Sequence, residues 1–187
     1  MHKSLPLLSA LLLTSPALAA NWVVDPVTSR LNFEGEQAGE KFKGSFGKFA
    51  SDITFDEAAP EQGKIAITID MASAQIDGKD RMDSLPTDDW FAVKKFSVAQ
   101  FVSTSIRALG NDKDGIKNYE ATGHLTIRGI SKEIALPFSL KTTGNSAVAR
   151  GNVTLNRSDY NVGLGQWKSD EWVKYPVHVS FEINASK

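Results

Sequence analysis

The segment 123–140, GHLTIRGISKEIALPFSL, alternates apolar and polar positions on both sides of Gly129. Leu125 and Ile127 share one face before the glycine, and Ile134, Leu136, Phe138 and Leu140 continue it afterwards. His124, Thr126, Arg128, Glu133 and Ser139 take the alternate positions, interrupted only by Ala135 and Pro137. A period of two sends successive side chains to opposite faces of an extended chain, so one face meets an apolar interior and the other meets water. Two long strands joined at Gly129 are the expected structure.

The same pattern recurs along most of the chain and predicts strands near 22–24, 30–36, 40–46, 49–55, 64–71, 99–108, 117–127, 130–142, 147–156 and 173–183. Ile65, Ile67, Ile69 and Met71 alternate without a break, as do Val177, Val179, Phe181 and Ile183. Gly115 after Asp114 reads as a tight hairpin turn, and Asn145-Ser146 after Gly144 reads similarly. Many antiparallel strands with short turns predict an all-β domain, closed as a barrel or stacked as a sandwich. No repeat or low-complexity linker marks a second domain.

Two stretches depart from this pattern. In 77–96 charge is dense, and Met82 and Leu85 sit three apart, on one side of a short helix that Pro86 would end. Thr87 is placed to cap a second helical turn through Trp90 and Phe91. A connection of this length is expected to cross one end of the domain, as a functional lid or as a plain apolar plug. Either role turns Met82, Leu85, Trp90 and Phe91 inward. In 161–171, NVGLGQWKSDE, Gly163 and Gly165 permit positive φ or close backbone approach, and Trp167 is an anchor. This loop lacks the P-loop and dinucleotide patterns, so a bulge is expected ahead of a phosphate cradle.

The first 19 residues read as a cleavable signal peptide: a short polar head with His2 and Lys3, an apolar run from Leu5 to Leu13, and small residues at Ala17-Leu18-Ala19. Cleavage would leave a domain at 20–187, with 20 basic and 22 acidic residues. That balance supplies no electrostatic attraction for nucleic acid. There is no cysteine, hence no disulfide and no lipid-modification site. Export to the periplasm is the expected localisation.

Catalytic equipment is sparse. His124 and His178, the only histidines after the signal segment, alternate with apolar neighbours and are expected to face outward. Without cysteine they make a poor metal or haem site, so neither a metal nor a resident cofactor is expected. No G-x-S-x-G elbow occurs. Acidic pairs such as Asp88-Asp89 sit in turns, where capping is their usual role. What is abundant is apolar: Phe33, Phe42, Phe46, Phe55, Phe101, Phe138 and Phe181 join the aliphatic strand faces. A small barrel encloses either packed side chains or one ligand, and periodicity does not choose between them.

The motifs narrow the choice. Phe46…Phe49…Ile53-Thr54-Phe55-Asp56, then Asp88-Asp89-Trp90-Phe91…Phe101, then GHLTIRGISKEIALPF, then Arg157-Ser158-Asp159-Tyr160-Asn161-Val162-Gly163, resemble the YceI-like family in order and spacing. The resemblance implies an extended eight-stranded antiparallel lipocalin-like barrel with a short helical connection over one end. It also implies binding of a polyisoprenoid lipid, a polyprenyl phosphate or a quinone-type tail, in an elongated apolar cavity. Some relatives are fused or paired with a membrane-bound b-type cytochrome, which makes such a protein the candidate partner. Two departures stand out: Lys95-Phe96-Ser97-Val98-Ala99-Gln100-Phe101 replaces a proline-bearing segment, and Glu36-Gln37 stands where other members carry histidine.

On this reading Phe33, Phe42, Phe46, Phe55, Ile67, Ile69 and Met71 are candidate cavity residues, with Phe101, Phe138, Phe181 and the four inward residues of 77–96. Asp77, Lys79 and Arg81 flank the lid-like segment and are candidates for a headgroup. The expected function is non-enzymatic binding, storage or transport of the lipid, with the lipid or quinone as ligand rather than cofactor. The alternative is an interaction module with a solid barrel and an exposed patch around Trp167 and Trp172. The number of subunits stays open, a homodimer included.

Overall fold

A computed structural model describes residues 20–112 and 114–187 of the 187-residue chain. The expected signal segment lies outside the described residues.

Eleven strands form one antiparallel sheet: β1 (Ala20–Val24), β2 (Arg30–Gln37), β3 (Glu40–Phe46), β4 (Phe49–Phe55), β5 (Lys64–Asp70), β6 (Ala74–Ile76), β7 (Val98–Asn111), β8 (Lys117–Ile127), β9 (Ile130–Thr143), β10 (Ser146–Asn156) and β11 (Pro176–Ser186). Six of them are halves of three bent ribbons. β1 runs into β2, β3 into β4, and β5 into β6, and each half pairs with the corresponding half next door. The result is an eight-ribbon meander that closes where β11 meets β2 and β1, at Val179↔Phe33 and Val24↔Ala185. Closure removes the long open sheet edges that would otherwise invite aggregation and, among the described strands, leaves only the three-residue β6, which pairs with β3 alone.

The bends have local causes. The Asp25 carboxylate accepts from the Val27 amide and the Thr28 hydroxyl, each at 2.8 Å, turning the chain between β1 and β2. The Asp70 carboxylate accepts from the Ala72 amide at 2.9 Å and starts a 3-10 turn at Met71–Ser73. That turn is tied to the bend between β3 and β4, because the Gly47 amide donates to the Ser73 carbonyl at 3.1 Å. The strand expected at 64–71 therefore stops one residue early, and β6 follows as a three-residue strand.

Arg128-Gly129 joins β8 to β9, and Ala38-Gly39 joins β2 to β3. Both pairs have positive φ at both residues, the two-residue hairpin that matches strand twist. The connection at Gly115 is longer: β7 ends at Asn111, β8 begins at Lys117, and the Asp112 amide donates to the Ile116 carbonyl at 2.9 Å. The strand expected at 173–183 lies at Pro176–Ser186; Val173 instead makes an isolated bridge with Gln37.

One short helix, α1 (Lys79–Ser84), opens the connection from β6 to β7. Thr87 does not cap a further helical turn; its hydroxyl donates back to the Ser84 carbonyl at 2.6 Å and closes the first one. Trp90 and Phe91 follow in turns, where the Phe91 amide donates to the Leu85 carbonyl at 2.9 Å. Among the described residues no helix is long and apolar enough to cross a membrane.

Candidate functional site: a two-chambered barrel interior

The inward faces meet across the axis only at one end, where the Phe55 and Phe138 rings lie 6.4 Å apart between centroids. They enclose an upper chamber of about 730 Å³ under the α1 connection and a lower one of about 180 Å³ beneath it. Leu31, Ile69, Leu125, Leu155 and Val179 line both, so the chambers adjoin at a waist formed by these five side chains. The upper volume falls within the range of sites that bury a whole small ligand.

Thirteen of the fourteen candidate cavity residues line these chambers. Phe33, Phe42, Phe46, Met71, Leu85, Trp90 and Phe91 line the upper one. Phe55, Ile67, Phe101, Phe138 and Phe181 line the lower one, and Ile69 borders both. Met82 is the correction: it is half-buried on α1 and lines neither chamber, because the short helix turns Leu85 inward instead. Trp167 also departs from the expected exposed patch. It is half-buried in the upper wall, 5.9 Å from Trp90 between ring centroids, whereas Trp172 is 57% exposed.

The lower chamber is lined only by apolar residues. Its far end is filled by an aromatic group in which Phe55 meets Tyr119 edge-on at 5.1 Å and Tyr119 stacks on Phe138 at 5.4 Å. The upper chamber carries polar groups along one edge, where the β2–β3 turn faces α1: Gln37, Glu40, Lys79, Asp80, Arg81 and Ser84. Arg81 spans that edge. Its Nη1 donates to Gln37 Oε1 at 3.2 Å, its Nη2 pairs with Asp77 at 3.2 Å, and its guanidinium lies 5.8 Å from the Phe42 ring centroid. Lys79 pairs with Asp83 one helical turn on. Of the three headgroup candidates, Lys79 and Arg81 line the chamber and Asp77 does not.

Two residues that sequence reasoning left without a role, Arg157 and Tyr160, line the upper chamber as well. Arg157 is 4% exposed. Its Nε donates to the Lys174 carbonyl, Nη1 to those of Val162 and Gly163, and Nη2 to those of Ser169 and Val173, over 2.6–3.3 Å. All five guanidinium N–H groups are thus satisfied by backbone, with none left for a ligand. Burial pushes the guanidinium down from its ordinary value, opposed by Tyr175 and Asp170. Burial likewise pushes the Tyr160 phenol up, so it stays neutral. Both belong to the Arg157–Gly163 motif, which was the available signal.

The glycine loop serves this framework. Gly163 and Gly165 have positive φ, and the Gly163 and Leu164 amides both donate to the Asp89 carbonyl at 2.8 Å. Those amides are therefore engaged by the connection over the chamber and do not form a phosphate cradle. Arg128, in the β8–β9 turn, holds the same connection from the other side through the Asp88 and Trp90 carbonyls. The buried Trp90 indole N–H has no partner among the described residues. His124 and His178 are exposed on the outer wall, and no metal-ligating cluster occurs among the described residues.

A sequence profile described as the YceI-like domain matches residues 22–185. The chain belongs to the YceI-like family. A UPF0312 protein of Photorhabdus laumondii is 31% identical over 172 residues, 86% of each chain, and one of Pseudomonas fluorescens is 28% identical over 93% of this chain and 91% of its own. Among solved structures, Burkholderia cenocepacia BcnA superposes with a TM-score of 0.82 at 32% identity, covering 88% of this chain and all of its own. A polyisoprenoid-binding domain from Saccharophagus degradans has a TM-score of 0.70 at 16% identity, covering 91% and 99%. That likeness shows the fold alone. The barrel is thus common to these solved structures.

Proposed function

We propose that this protein is an exported, periplasmic carrier that sequesters one polyisoprenoid lipid, with no covalent step. The observation that carries the reading is the pair of adjoining chambers, the lower wholly apolar and the upper mostly so, with its charged groups at the α1 edge and at the backbone-saturated Arg157. A prenyl chain lying through the waist gains roughly 0.8 kcal/mol for each methylene-sized group removed from water. Ordering the flexible chain offsets part of that gain. The head then rests at the polar edge beside Gln37, Arg81 and Ser84.

The charges at that edge favour an uncharged polar head, a quinone or an alcohol, over a phosphate. Lys79 and Arg81 already pair with Asp83 and Asp77, Glu40 and Asp80 add negative charge, and Arg157 is saturated. A phosphate would have to break these pairs and approach those carboxylates. The test is mass spectrometry of lipid extracted from gently purified protein. A prenyl lipid near one per chain is expected; a persistently empty protein that takes up no long-chain prenyl lipid ends the reading. A protein partner, such as a membrane-bound b-type cytochrome, would most simply engage the surface around exposed Trp172.

A further inference from the structure

Four phenylalanines of the chamber walls lie over glycines of the neighbouring strand. Phe33 pairs in register with Gly44, Phe42 with Gly35, and Phe181 with Gly151, while Phe101 lies diagonally against Gly123. A Cβ at Gly35, Gly44 or Gly151 would fall 2.3, 2.2 or 2.4 Å from the Cζ of its ring, and one at Gly123 would fall 2.9 Å from the Phe101 Cζ. At Gly35, Gly44 and Gly151 the ring therefore occupies the space a side chain would take, while at Gly123 the Val102 carbonyl, 2.3 Å from the same point, crowds it first. None of these glycines has positive φ, so backbone conformation does not require them. Glycine inside a strand otherwise weakens it through entropy and the missing side chain, and close approach is the usual reason for keeping it.

We propose that these glycines are the specificity-determining residues of the bore. By letting the rings lie along the wall rather than across the lumen, they set the width open to an apolar ligand. This rests on the reading of the chambers as the lipid site. Gly35 isolates the effect. The three atoms nearest its missing Cβ all belong to the Phe42 ring, whereas main-chain carbonyls crowd the same point at Gly44, Gly123 and Gly151. A methyl at position 35 has only that ring to displace, and the ring moves off the wall towards the lumen beside Arg81.

The experiment compares wild type, Gly35→Ala, Phe42→Leu and the double variant, with folding checked by thermal melts. Fluorescence titration with the neutral dye N-phenyl-1-naphthylamine reports the bore, and displacement by geranylgeraniol reports prenyl binding. Gly35→Ala should weaken dye binding about tenfold, and Phe42→Leu in the same chain should restore it. A crystal structure of Gly35→Ala should show the Phe42 ring displaced and the upper chamber smaller. Unchanged dye affinity, a ring still on the wall, or a loss that Phe42→Leu does not rescue overturns the proposal. Wild type that binds dye but no prenol sinks the lipid reading and leaves the bore assignment standing; wild type that binds neither overturns both.

Discussion

The Trp22 indole Nε1 donates a 3.1 Å hydrogen bond to the main-chain carbonyl of Phe55, and both residues line the lower chamber. The contact joins β1 to β4, neighbours in the closed barrel, and helps close the end opposite the α1 connection. Trp22→Phe keeps an aromatic ring but strands a buried carbonyl. A loss of about 1 kcal/mol is expected from the urea midpoint. Trp22→Ala also opens a cavity and should cost about 3–5 kcal/mol.

Arg157 organises the upper wall because it alone serves five backbone carbonyls. Lysine offers three donors from one point and does not reproduce that fork. Arg157→Met, which strands every acceptor, should cost about 3 kcal/mol or more, and Arg157→Lys should recover only part of that in a denaturant titration. Equal stability of all three proteins would contradict the assignment.

Arg81 links α1 to the β2–β3 turn through Gln37 and lies against Phe42. Removing it in Arg81→Ala should loosen the polar edge without emptying the apolar chambers. Stopped-flow measurement of dye release should show a rate increase of roughly tenfold, the worth of about 1.4 kcal/mol. An unchanged release rate would place the exit elsewhere.

Glu57 and Lys117 form a partly buried ion pair at 2.6 Å beside the aromatic floor. Burial alone would raise the Glu57 carboxyl, but the Lys117 hydrogen bond and charge, together with Thr142 and Lys187, outweigh it and hold the carboxyl below its ordinary 4.5. A depressed carboxyl stabilises the fold above its unfolded value, and the contribution is lost as pH falls through the lower folded value. Wild type should therefore lose stability below pH 4.5 more steeply than Glu57→Gln, by about 0.5 kcal/mol for a pair this accessible. Superimposable pH profiles would remove the pair from the account.

Strand faces were legible because period-two alternation is a local signal, as at Ile65, Ile67 and Ile69. β6 was not, since three residues carry no period and the Asp70-capped turn hides their return to the sheet. The hollow was also illegible. Inward phenylalanines are the same letters whether they stack across an axis or lie flat, and the difference resides in Gly35, Gly44 and Gly151 on partner strands. Arg157 stood in a recognisable motif, but its five carbonyl partners come from residues 162–174 and converge only after folding.

The central claim is an apolar bore that accepts one chain from the polar edge to the Trp22 floor. A crystal structure of the protein with geranylgeraniol tests it most directly. Continuous density is expected through the waist formed by Leu31, Ile69, Leu125, Leu155 and Val179, with the hydroxyl near Gln37 and Arg81. Side chains closing the waist, with the prenol bound outside the barrel or absent, would contradict it.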